Sequence, residues 1–151
     1  MKKFLFTLEA LLVTCERQEA EIKKELIQID RRLEEERFLL ECLLTETTEL
    51  RNIWRTKMAA GVNPMSLSQF DQCFNRLREQ QESRKKAIEE IESERTMCQS
   101  RLRKAMTETK ALSNLKEGQL EAHMTEATRE MEKEIDEWVT GRKGPVVGFG
   151  G

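Results

Sequence analysis

The chain lacks tyrosine, has two prolines and one histidine, and draws only 5% of its 151 residues from the aromatics. With 38% apolar residues, it has too few large apolar side chains for the thick core of a globular enzyme. Glycine is scarce until the end: apart from Gly61 and Gly118, every glycine lies in the last eleven residues. So few helix breakers exclude a fold built on frequent turns. Neither sign of charge dominates: 26 Lys and Arg stand against 28 Asp and Glu, for a net charge of -2. That balance, with a pI near 5.7, excludes the basic patch that nucleic acid requires. No run approaches the ~18 apolar residues of a membrane span, so direct insertion is not expected.

What is present is charge mixed with leucine. Charged residues make up 36% of the chain, and Glu, Lys, Arg and Leu without breakers read as long helices or coiled coil. The opening "MKKFLFTLEALLVTC" invites a second reading, as an export signal ending in a lipoprotein cleavage box. Glu9 in the middle of the apolar run opposes insertion. Thr14 precedes Cys15 where such a box requires a smaller residue, and no A-x-A site follows. The same residues fall in phase with a heptad that continues to Lys57. Its a positions are Leu5, Leu12, Glu19, Leu26, Leu33, Leu40, Thr47 and Trp54. Its d positions are Leu8, Cys15, Ile22, Ile29, Glu36, Leu43, Leu50 and Lys57. Twelve of the sixteen are apolar, a 3.5-residue period typical of coiled coil.

The pattern breaks at "AAGVNPMSLSQFDQ". Gly61 can take the positive φ of a helix C-cap. Pro64 is read as a stop, and Ser66 with Gln69 as a capping box that starts the next helix near Leu67. The second heptad places Leu67, Phe74, Gln81, Ile88, Arg95, Leu102 and Thr109 at a. Phe70, Leu77, Arg84, Ile91, Cys98, Ala105 and Leu112 stand at d. The predicted fold is all-α, a long two-helix antiparallel coiled-coil hairpin over 1–140. Helix one covers about 4–60, the turn about 61–66 and helix two about 67–139, with a flexible Gly-rich tail over 141–151. Opposing the lists predicts pairs whose residue numbers sum to about 124. Trp54 then meets Phe70, and Leu33 meets Ile91. Polar seam residues lie over apolar ones: Glu36 by Ile88, Arg95 by Ile29, Gln81 by Leu43, Arg84 by Leu40.

Chemistry-bearing residues are few. Cys15, Cys42, Cys73 and Cys98 have no C-x-x-C spacing, so no metal is expected; at d, Cys15 and Cys98 act as small apolar residues. "GRKGPVVGFGG" has no strand before it and no Lys-Ser/Thr after it, so it is not a phosphate loop. Val146, Val147 and Phe149 offer at most a docking motif. No catalytic residue and no cofactor is expected, because two long helices form no concave site. With Met1 opposite His123, the register leaves an apolar stripe without a partner helix in this chain: Met124, Ala127, Met131, Ile135 and Trp138.

Four segments resemble one family. Phe4 to Leu12 resembles the F-x-F-x-L-E-x-x-L opening of the FliJ family of flagellar export proteins. "FDQCFNRLREQQES" is similar to its start of helix two, "KALSNLKE" to its K-x-L-x-x-L-K-E, and "EKEIDEW" to its acidic end. The likeness spans about 4–138 and omits the Gly-rich tail. It implies a non-enzymatic stalk of the type III export apparatus, similar to the rotary ATPase γ subunit. The implied place is cytoplasmic, peripheral to the inner membrane at the flagellar base. The implied partners are the export ATPase ring, the cytoplasmic domain of the export gate, and export chaperones. By that analogy the stripe from Met124 to Trp138 enters the ring, and Leu43, Leu50 and Leu77, near the turn, face the gate. A virulence-type secretion stalk and an unrelated coiled-coil tether are the other readings.

Overall fold

A computed structural model describes residues 3–149, and their side chains over 3–141. Two helices pack against each other: α1, Glu9–Ala60, and α2, Pro64–Phe149. The described residues contain no strand. The chain divides into two compact units: Ala20–Lys104, which holds the turn, and Met1–Glu19 with Ala105–Gly151.

The turn is closed by three residues. Gly61 has φ of 91°, a left-handed conformation that L side chains rarely adopt, and its N–H bonds the carbonyl of Met58 at 3.3 Å. This is the expected C-cap. The start of α2 differs from the expected capping box. Asn63 is the N-cap: its Oδ1 accepts the N–H of Ser66 at 2.8 Å, and its carbonyl accepts that of Leu67 at 3.1 Å. Pro64 is the first helical residue, where its missing N–H is not needed and its fixed φ already suits a helix. A proline that ends one helix therefore opens the next.

In the unit Ala20–Lys104 the helices are antiparallel, and cross-helix contacts from Arg101–Glu25 to Trp54–Phe70 have residue numbers summing to within about five of 124, the register the opposed heptads predict. Leu33, Ile91 and Cys98 are its most buried residues. Leu33 and Ile91 share one predicted layer, and full burial of such a side chain contributes about 1.5–3 kcal/mol. The polar ends of the seam residues find polar partners across the seam, which the heptads did not predict. Arg84 Nη1 donates to both carboxylate oxygens of Glu36 at 3.0 Å. Arg95 Nε lies buried 2.7 Å from Asp30 Oδ1. Gln81 Nε2 donates to Thr47 Oγ1 at 2.7 Å. A charge held over an apolar layer is costly; Arg84 and Gln81 reach a polar partner one turn from the predicted residue, and Arg95 meets the residue next to it.

In the other unit Leu12, Cys15 and Phe6 are buried, and Lys116 pairs with Glu9 at 2.8 Å. The helix begins at Glu9, not near residue 4. The chain turns just before it, with the Glu9 N–H bonding the Phe6 carbonyl at 3.1 Å. The turn buries Phe6 and leaves Leu5 82% exposed, the reverse of the heptad expectation. An aromatic ring removes more apolar surface from water than leucine, so the ring takes the site. Phe4 stacks at a tilt on His123, ring centroids 5.6 Å apart.

At the far end, α2 does not stop at Gly141 or Pro145. Extending an existing helix adds one bond per residue ordered, whereas starting one is costly, and a single proline removes one bond. The side chains of Val146, Val147 and Phe149 lie outside the described residues, as do Gly150 and Gly151 altogether.

Candidate interaction surfaces

Among the described residues, three surfaces present apolar side chains to solvent in a hollow, a groove or a stripe. The first is at the turn. Trp54 meets Phe70 edge-to-face, centroids 4.9 Å apart at 67°, and Lys57 Nζ sits 5.4 Å from the Phe70 centroid. This cluster forms one wall of a concavity of about 530 Å³ completed by Pro64, Leu67 and Phe74, with Ser68 and Asp71 as its polar groups. Met58 and Met65 are exposed at the same turn. An apolar hollow with one carboxylate suits an apolar side chain next to a basic group.

The second is a groove of about 390 Å³ on one flank of the hairpin, lined by Leu39, Cys42, Leu43 and Glu46 of α1 and by Gln80, Ser83 and Arg84 of α2. Charge is segregated around it. Residues 34–49 of α1 hold six glutamates and one arginine, whereas residues 76–86 of α2 hold five basic and two acidic residues.

The third lies on α2 in the unit that joins the two ends of the chain. Met124, Met131, Ile135 and Trp138 are all more than half exposed, at spacings that keep them on one side of a helix. Up to Leu112 the apolar residues of α2 hold the a and d positions. Beyond it those positions carry Gln119, Glu126, Glu130 and Lys133, and the apolar residues move one position on, or two at Ile135. The stripe is thus a separate face, not a continuation of the seam. No helix of the described residues is long and apolar enough to cross a membrane.

The family described as "Flagellar FliJ protein" matches residues 4–142. The chain belongs to the FliJ family. It is accordingly a component of flagellar protein export, and the family is a structural one, not one of known enzymes. No curated protein and no solved structure matches this FliJ-family chain.

The residues singled out for partner binding fall into two environments. Met124, Met131, Ile135 and Trp138 are exposed, and Ala127 beside them is half-buried. Leu43, Leu50 and Leu77 are half-buried seam residues; Leu43 also reaches the flank groove. Sequence reasoning identified Trp54 and Phe70 as a pair but missed the hollow they build. The missed signal is Leu67: it takes an a position in the heptad, yet it is half exposed, since the register sets it opposite Lys57, itself an exposed polar residue. All four cysteines are free thiols, with Cys15 and Cys98 buried and Cys73 exposed. Burial, followed by the nearby Glu25 carboxylate, raises the Cys98 thiol above its ordinary value, and its Sγ lies 3.7 Å from the Ile22 carbonyl.

Proposed function

We propose that this FliJ-family chain is a non-enzymatic stalk of the flagellar type III export apparatus. It links the export ATPase ring to the cytoplasmic domain of the export gate, engages export chaperones, and works at the inner-membrane face of the flagellar base. The observation that carries the reading is the exposed stripe of Met124, Met131, Ile135 and Trp138, which stands apart from the seam. An amphipathic helix of this kind inserts its apolar side into a partner groove. Methionine thioethers are flexible and polarizable, so one stripe can repack against successive surfaces of a cycling ring. At the turn, the hollow beside Trp54 and Phe70 receives an apolar side chain of the gate. Neither contact needs a catalytic group or a bound cofactor.

The test is a chain truncated after His123. The Phe4 contact and the seam residues up to Leu112 are retained, so helicity and melting of the remaining hairpin should persist, while binding and stimulation of the flagellar export ATPase are lost. Equal stimulation by the truncated and full chains would remove the stripe from the contact.

A further inference from the structure

The groove flank of the unit Ala20–Lys104 changes character along its length. Away from the turn it is closed by cross-helix ion pairs, Glu25 with Arg101 and Arg32 with Glu94. The next positions of the same heptad row toward the turn hold Leu39, Glu46 and Ile53 on α1, and Ala87, Gln80 and Cys73 on α2. Ionic closure therefore gives way to two exposed aliphatic side chains on α1, with Glu46 between them, and to small or uncharged side chains on α2. The opposite flank of α2 keeps a charge at each equivalent position, Asp71, Arg78, Lys85 and Glu92, so covering it would desolvate charge.

We propose that this flank is a self-association surface: two copies of the chain pack groove to groove with their turns co-aligned, forming a four-helix bundle about a two-fold axis parallel to the helices. That symmetry sets α1 of one copy antiparallel to α2 of the other, at the levels already used within the chain. Leu39 then sits at the level of Ser83 and Ala87 of the second copy, and Ile53 at that of Cys73. The bulky side chains of α1 meet the small ones of α2, which is the complementarity a bundle core needs. Glu49 falls level with Arg76 of the second copy. Among the described residues neither has a cross-helix ion-pair partner within its own chain. The acidic α1 segment 34–49 and the basic α2 segment 76–86 are paired twice by the same operation. Glu46 of the groove falls level with Gln80 of the second copy, whose side-chain amide can donate to its carboxylate, so a second copy meets the apolar, steric and charge requirements of the groove together.

Sedimentation of the full chain over a concentration series up to roughly 500 µM should show a monomer–dimer equilibrium. Leu39→Glu with Ile53→Glu should abolish the dimer and leave the circular dichroism spectrum unchanged, since both positions are exposed and glutamate favours helix. Glu49→Arg alone should weaken association about tenfold, and combining it with Arg76→Glu should restore it. Chains whose single cysteine is Cys42, mixed with chains whose single cysteine comes from Ser83→Cys, should crosslink between copies. A wild-type chain that stays monomeric throughout overturns the proposal. So does a dimer that survives the Leu39 and Ile53 substitutions, or a charge exchange that restores nothing. A monomer that captures an export chaperone or the export ATPase in a Leu39-dependent way would assign the groove to that protein and overturn self-association.

Discussion

At the residue scale, two side chains show how environment sets behaviour. Trp54 is only half-buried, but its ring meets Phe70 edge-to-face at a turn with little other packing. Truncating a fully buried tryptophan costs about 3–5 kcal/mol; partial burial here halves that, so Trp54→Ala should lose about 2 kcal/mol in urea melts. A loss under about 0.5 kcal/mol would place Trp54 outside the packing of the turn. Cys98 is 2% exposed, and burial raises its thiol. An unfolded thiol releases its proton near pH 8.5, while the folded one holds it longer. The unfolded state then binds fewer protons, and stability falls as pH rises. The contribution is intact below about pH 8 and declines above it. Melts of Cys98→Ala against wild type between neutral and alkaline pH should show this slope shrinking in the variant. The same slope in both would assign it to another group. Native alkylation should label Cys73 well before Cys98.

At the scale of elements, the start of α2 rests on one side chain. Among the described residues, Asn63 supplies the side-chain cap at the turn. Asn63→Ala should destabilise the chain by about 1 kcal/mol, whereas Asn63→Asp should keep the cap and gain from the helix dipole. Thermal melts that rank aspartate with alanine would show that Pro64 alone starts the helix. The ion pairs between α1 and α2 act differently. Arg32–Glu94, Arg37–Glu92 and Arg101–Glu25 are about half exposed, and each such pair contributes at most about 1 kcal/mol. Their joint effect is to penalise a heptad slip, which would set like charges together. Much of this was legible beforehand. The opposed heptads predicted the antiparallel pairing and the Trp54–Phe70 contact. They missed the pairing of Glu36 with Arg84, because periodicity names the layer a residue occupies and not how far its side chain reaches.

At the scale of the whole molecule, the two proposed partners meet separate surfaces, and that separation can be tested. Leu67→Glu, at the turn hollow, should lower capture of the gate's cytoplasmic domain and leave ATPase stimulation near wild type. Met131→Glu, in the exposed stripe, should do the reverse. Parallel pull-down and ATPase assays check both, and variants that each lose both activities would end the assignment of one surface to each partner. The candidate stripe was readable in advance because it follows a helical period. The turn hollow was not, because its walls come from residues on both sides of the chain reversal.

What the sequence determined by itself is what local rules carry: two helical segments from a sustained 3.5-residue period, a break at Gly61, a register from opposed apolar positions, and membership of the FliJ family from short motifs in order. Tertiary structure decided what depends on competition between distant groups. Phe6 displaced Leu5 because only one of them could enter the space beside α2, and the larger ring removes more surface from water. Pro64 became the first residue of a helix because Asn63 could cap it. Arg84 and Arg95 found Glu36 and Asp30 because an ionised group between two helices is stable only where a counter-charge lies within reach, and reach is a property of the packed pair.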